Sequence, residues 1–409
     1  MNILLINHYA GSTEMGMEFR PYYMAQEWIK LGYKVDIIAG DYSHLRKINP
    51  IVTNDFQTED IDGITYHWVK TGDYEGNGVK RAGTMFRFVG KLWLYASRIV
   101  KELQPDVVIA SSTYPIDTYA AQKIAKMAKA RLIHEVHDMW PATLIEVGGM
   151  SKYNPFVVTM QFGENSAYKH SNYVVSLLPC AKEYMIKHGM DEEKFKYITN
   201  GIVLNDWMNP TCLPNEHKSI LEKYKADGKF IVGYFGGHAL SNALDILVDV
   251  AEYLKNDNKI QIVLVGNGVE KQRLEERAKE KKLDNICFMP PIEKMSIPNL
   301  ITYFDCVYIG ATESPLYRFG VAANKIYDSM MGGKPLLYAI NAPNNYVNEY
   351  QCGISIKAGD VKSLANGIKT LENMDEKDRK KMGENGRKAV IKYYNYSVLA
   401  EKFSKLFNK

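Results

Sequence analysis

Residues 314–335 read SPLYRFGVAANKIYDSMMGGKP. Asn324, Lys325 and Asp328 open a helix that a double glycine and a proline close at 332–335. Apolar runs flank the stretch, Cys306–Ile309 before it and Leu336–Ala339 after it. A helix between two such runs is the crossover of a parallel βαβ unit. Gly320 to Ala323 place backbone N–H groups where the helix begins, and unpaired donors at a helix N-terminus favour an anion. Lys325 adds a point charge. One turn on, along the same face, Asp328 can accept from the hydroxyl of a ribose. Phosphate donors beside a polyol acceptor suit a sugar nucleotide.

The same alternation of short apolar runs and longer amphipathic segments extends in both directions. Before residue 200 the strand candidates are Asn2–Asn7, Val35–Ala39, Thr65–Val69, Asp106–Ala110, Arg131–Glu135, Tyr173–Leu177 and Lys196–Ile198. After it come Phe230–Tyr234, Gln261–Val265, Asn285–Phe288, Cys306–Ile309, Leu336–Ala339 and Gly353–Ile356. A chain of 409 residues exceeds what one hydrophobic core usually supports. The expected fold is therefore α/β with two doubly wound, Rossmann-like domains and a ligand cleft between them. The changeover lies in NGIVLNDWMNPTCLPNE, 200–216, giving domains 1–205 and 206–390 and a terminal helical segment 391–409.

A net charge of +4 is too small to imply nucleic acid as a partner. The five cysteines are scattered without a CxxC pair, which argues against a zinc site or disulfide framework and fits a reducing cytoplasm. MNILLINHYAG carries no basic leader and reads as a first buried strand. Asp60-Ile61-Asp62 lies in a polar run, Thr58 to Gly63, whose ordinary reading is a turn. It is given no metal-binding role, and no metal is expected. GGKP at 332–335 lacks the rest of a P-loop.

Several other positions fall where strands end. His137 and Asp138 follow the run RLIHEV and precede a Trp-Pro turn. Gly16 and Arg20 belong to the long loop after the first strand, where small residues let a ligand approach the backbone. Gly236 and Gly237 leave the first strand of the second half, and Pro291-Ile292 form a rigid apolar wall after MPPI begins at 289. Val79–Lys101 interleaves Lys80, Arg81, Arg87, Lys91, Arg98 and Lys101 with aromatic and aliphatic residues, as in a basic amphipathic helix at an anionic leaflet.

Five landmarks in this order carry a family resemblance: INHYAGSTEMGMEFRPYY (6–23), HEVHDMWP (134–141), TNG (199–201), GYFGGHALSNALDILVDVAEYL (233–254) and the opening stretch. Together they resemble the family 4 glycosyltransferases of GT-B fold, in particular the branch that builds O-antigen and capsule. The resemblance implies a retaining, metal-independent and cofactor-free transfer of a sugar, an N-acetylated hexose, from a UDP-sugar to a lipid-linked or glycan acceptor. It implies a cytoplasmic protein, with 79–101 touching the anionic inner-membrane surface, and a final helix that returns to the first domain.

The resemblance also implies roles. His137 would hydrogen-bond the transferred sugar, and Asp138 would orient it or the acceptor. Gly16 and Arg20 would face the donor phosphates. Asn324, Lys325, Arg318 and the glycines 236 and 237 would hold the diphosphate, Asp328 the ribose, and Pro291 with Ile292 the base. Two departures stand out. His238 to Asn242 replace an arginine and lysine that clamp the diphosphate in many members. Gly320 occupies the place of a sugar-binding glutamate, leaving the backbone N–H groups of Gly320 to Ala323, Val321 among them, or Glu313, to meet the sugar. A sugar-nucleotide epimerase or hydrolase on this fold, and a binding-only protein, stay open as alternatives.

Overall fold

The apolar runs become strands because each can be buried on both faces. In the computed structural model, residues 1–16, 19–76 and 78–408 are described; Met17 and Glu18 of the 6–23 landmark, Asn77 and Lys409 lie outside them. The chain divides into two units. One comprises Met1–Asn200, Arg318–Gly320 and Tyr396–Lys409, and the other Gly201–Tyr317 and Val321–Asn395.

The first unit is built on an eight-stranded sheet of order β3-β4-β2-β1-β5-β6-β7-β8. Its strands are β1 (Asn2–Ile6), β2 (Lys34–Gly40), β3 (Gln57–Ile61), β4 (Ile64–Val69), β5 (Val107–Ala110), β6 (Arg131–Val136), β7 (Tyr173–Ser176) and β8 (Phe195–Tyr197). All pairings are parallel except β3 with β4. The polar run at 58–63 is thus a correction to the sequence reading. Most of it is an edge strand, and only Asp62-Gly63 turn, both at positive φ (54° and 82°). Asp-Gly is a strong two-residue hairpin signal, and polar side chains suit an exposed edge.

A second correction concerns Val79–Lys101. It is not one helix: Val79–Leu94 and Ala96–Leu103 meet at Tyr95, whose ψ of 9° departs from helical geometry. Met85, Phe88 and Leu92 of the first helix are buried, whereas Phe86, Trp93 and Leu94 are exposed. Among the described residues no helix is long and apolar enough to cross a membrane. At the other end of the chain, Tyr396–Ser404 packs on the helix Phe19–Lys30. The Trp28 indole donates to the Ala400 carbonyl, and its ring lies edge-on to Phe403 and Phe407.

The second unit has a fully parallel six-stranded sheet of order β11-β10-β9-β12-β13-β14. The strands are β9 (Phe230–Phe235), β10 (Ile260–Val265), β11 (Ile286–Met289), β12 (Cys306–Gly310), β13 (Leu336–Ala339) and β14 (Gly353–Ser355). Period-two alternation sends Phe230, Val232 and Tyr234 into one core and Ile231 and Phe235 into the other. Gly233 is required between them, since a Cβ there would stand 2.0 Å from the Phe304 ring. Strand order reverses between β1 and β5 in one sheet and between β9 and β12 in the other. Such switch points open a crevice at the strands' carboxyl ends.

Candidate functional site

In the second unit, the loop after β9 and the helix after β12 meet at the switch point. Lys325 Nζ donates to Asn242 Oδ1, and Asn242 Nδ2 donates in turn to the Gly237 carbonyl at 2.8 Å. The Tyr234 hydroxyl reaches the same carbonyl at 2.7 Å, and Lys325 Nζ lies 5.4 Å from the Tyr234 ring centroid. Burial pulls the Lys325 ammonium down to about 8. Lys325 therefore rests in a partly dehydrated place beside an amide oxygen and an aromatic ring, where an anion would favour its charged form. Gly236 and Gly237 are exposed beside it. The helix Asn324–Met331 begins at Ala323, which offers no side-chain cap. Its macrodipole and first-turn N–H groups point the same way as the lysine charge. Asn324 is exposed at that end.

Asp328 lies further along the helix, beneath the segment Leu204–Met208. Burial pushes its carboxyl up to about 6, opposed by Lys294, reinforced by Asp206, and opposed again by a hydrogen bond from Trp207. Trp207, Asp206 and Lys294 are neighbours that sequence reasoning did not assign. Pro291 and Ile292 follow β11, two residues before Lys294; Pro291 is exposed and Ile292 packs against the core. The preceding Pro290 carbonyl accepts from His217 Nε2 at 2.9 Å. Glu313, exposed after β12, accepts from Asn341 at 3.1 Å.

Two expected donor contacts, those of Val321 and Arg318, are committed elsewhere. The Val321 N–H is held by Asn344 Oδ1 at 2.8 Å, and Gly320, buried with φ of 100°, groups with the first unit. Arg318 forms a two-pronged ion pair with Glu146, both within the first unit. A guanidinium matched to one carboxylate in this geometry has its charge already answered. His238 stands where the resemblance leads one to expect a cation, yet burial, with Lys271 adding to it, pulls its imidazole down to about 4. The ring is neutral at ordinary pH, and the positive charge near Gly237 comes from Lys325.

The first unit holds the other candidates. Gly16, at φ 101°, pairs with Arg46 through an isolated bridge. Arg20 is a correction: its guanidinium is buried, bonding Glu135 Oε1 at 2.9 Å and the carbonyls of Ile198 and Thr199. Its donors serve the interior, so the arginine does not stand ready for a phosphate. On the other side of that carboxylate, Glu135 Oε2 meets His137 Nε2 at 3.1 Å and the Ser111 hydroxyl at 2.7 Å. Ser111 Oγ lies 2.9 Å from His137 Nε2. Asp138, the next residue, is exposed. Glu135 and Ser111 were missed by sequence reasoning. The signal was there: residues i and i+2 share a strand face, so HEVH places Glu135 beside His137. His134 is buried on its own, near the Tyr168 ring.

Comparison with known proteins bears on the family and the fold. The family described as glycosyl transferases group 1 matches residues 217–389, and the glycosyl transferase 4-like domain matches residues 15–201. No curated protein sequence matches the chain. Among solved structures, Anabaena HepE in complex with UDP and glucose is 16% identical at a TM-score of 0.65, covering 99% of this chain and 98% of its own. Sucrose-phosphate synthase from Thermosynechococcus elongatus is 17% identical at a TM-score of 0.69, with 99% and 98% covered. WaaG, a glycosyltransferase involved in lipopolysaccharide biosynthesis, is 14% identical at 0.66, with 99% of each chain covered. Two sheets with switch-point loops, and family matches over the greater part of both halves, lead to one conclusion: the chain belongs to the family 4 glycosyltransferases, enzymes of GT-B fold.

Proposed function

We propose that this glycosyltransferase moves a sugar from a UDP-sugar to a lipid-linked glycan in bacterial surface polysaccharide synthesis, with retention and without a metal. The observation that carries the donor reading is the Lys325–Asn242–Gly237 connection. It sets a partly dehydrated cation, a helix N-terminus and an exposed glycine pair around one place. Charge develops on the leaving diphosphate as the glycosidic bond breaks. Lys325 and the helix N–H groups would stabilise that charge without reorganising. The leaving phosphate can then take the acceptor's proton on the same face.

In this reading Asp328 accepts from the ribose, Pro291 and Ile292 wall the base, and His137 with Asp138 meets the sugar. A UDP complex of the same fold supports uridine as the base. The sugar, an N-acetylated hexose, and the acceptor class rest on the sequence resemblance. The exposed Phe86, Trp93 and Leu94 on a basic helix support contact with the cytoplasmic face of an anionic membrane. Incubating the protein with radiolabelled UDP-sugars and polyprenyl-diphosphate-linked acceptors tests the proposal. Transfer of label to lipid is expected; release of free sugar or of an epimer regardless of acceptor would replace it.

A further inference from the structure

Glu135 is 3% exposed and Arg20 5%, yet both are charged side chains of the first unit. Such a pair is costly to bury, and every oxygen of the carboxylate is used. Arg20 takes Oε1 from Nε at 3.1 Å and from Nη2 at 2.9 Å. Oε2 receives the Ser111 hydroxyl proton at 2.7 Å and lies 3.1 Å from His137 Nε2. With its proton spent on Glu135, Ser111 Oγ can only accept from His137, 2.9 Å away. Both neighbours of His137 Nε2 are thus acceptors, and only an Nε2–H satisfies them.

We infer that Glu135, anchored by Arg20, is the positioning residue for His137: with Ser111 it fixes the ring as the Nε2–H tautomer, making Nδ1 the accepting nitrogen. The inference rests on the reading that His137 meets the transferred sugar. It then defines the chemistry that the neutral ring offers: Nδ1 carries the lone pair and accepts a hydrogen bond, where the imidazolium would donate one. Although burial pushes the Glu135 carboxyl up, Arg20 and the hydrogen bonds from His137 and Ser111 hold it well below the usual carboxylate range. It stays an acceptor at any working pH. Asp117, His134 and Asp138 also face or adjoin the ring, while Nε2 meets Ser111 and Glu135.

The test is long-range proton–nitrogen NMR of the full-length protein labelled with 15N-histidine, the His137 signals being assigned by their loss in His137→Gln. Nε2 correlates with both ring C–H protons and Nδ1 with one, which identifies each nitrogen. At a pH where the ring is neutral, the wild type is expected to carry its proton on Nε2. In Glu135→Gln the amide oxygen should turn to Arg20 and its NH2 to His137, moving the proton to Nδ1. An Nδ1–H wild type, or an unchanged tautomer in a folded Glu135→Gln, overturns the inference. Should that variant not fold, Ser111→Ala must keep Nε2–H through Glu135 alone, and its loss would count equally against it. In turnover, Glu135→Gln should lower kcat about 10–100-fold, with Glu135→Gln/His137→Gln no slower than His137→Gln. Additive losses would reduce Glu135 to a structural role. UDP binding serves as the separate control, since its absence in wild type would count against the proposed donor site and not against the tautomer.

Discussion

The Lys325 ammonium donates a hydrogen bond to the side-chain oxygen of Asn242, which ties the helix after β12 to the loop after β9. Asn242 continues to Gly237, the exposed glycine of that loop. The lysine is therefore aimed before any ligand arrives, and its charge is the feature that pH can remove. With the ammonium drawn down to about 8 by burial, the charged form prevails below that pH. Affinity for UDP should be flat from pH 7 toward 8 and fall as pH rises beyond it. Titration calorimetry across pH 7 to 10 reads this directly, and an affinity that does not fall would detach Lys325 from the phosphates.

Asp328 should cost the fold something in return for its role. Burial pushes its carboxyl up to about 6, above the unfolded value near 4. A raised carboxyl favours the folded state most below pH 4, and that advantage is lost as pH rises through 6. Asp328→Asn should accordingly be more stable than wild type at pH 8, by ~1–3 kcal/mol, and no more stable at pH 4. The same variant should bind UDP more weakly. Thermal unfolding at the two pH values, with one binding titration, checks both halves.

Arg20→Ala should behave as a folding defect. Removing one partner of a buried pair strands the other charge, at a cost of ~3–5 kcal/mol. Urea unfolding should show that loss, while the UDP affinity of the remaining folded protein stays within a few-fold of wild type. A normal stability with a large loss of UDP affinity would return Arg20 to the donor phosphates.

How much of this was legible in the sequence depends on what each residue does. Strands buried on both faces announced themselves as apolar runs, and the doubly wound fold followed from their alternation with helices. β3 escaped because an edge strand with polar side chains looks like a loop, although Asp62-Gly63 marked the hairpin. The break at Tyr95 left no proline or glycine to signal it. At the site, Lys325 and Gly237 stand at loop positions that pattern can find. Glu135, Asn242 and Trp207 act through partners far away in sequence, and only the fold brings those together. Arg20 and Arg318 show the converse: a cation at a suggestive position is spent on Glu135 or Glu146 once the chain has folded.

The exposed apolar residues of Val79–Leu94 lead to a prediction about surfaces. Leu94 is 76% exposed and Trp93 45%, on a helix that also carries Lys80, Arg81, Arg87 and Lys91. The protein should co-sediment with phosphatidylglycerol-containing vesicles at low salt and be released at high salt. Trp93→Glu/Leu94→Glu should abolish that binding without changing UDP affinity. Equal sedimentation of wild type and variant would exclude this helix as the contact.

The proposed donor site would hold a uridine diphosphate in the second unit, between the Gly236-Gly237 loop and the helix beginning at Asn324. Calorimetric titration with UDP, GDP and ADP, with and without magnesium, in wild type and Lys325→Ala, tests it most directly. UDP should bind best, chelating magnesium should change nothing, and Lys325→Ala should weaken binding at least ~10-fold, about 1.4 kcal/mol. No UDP binding by the wild type, or equal binding by the variant, would contradict it.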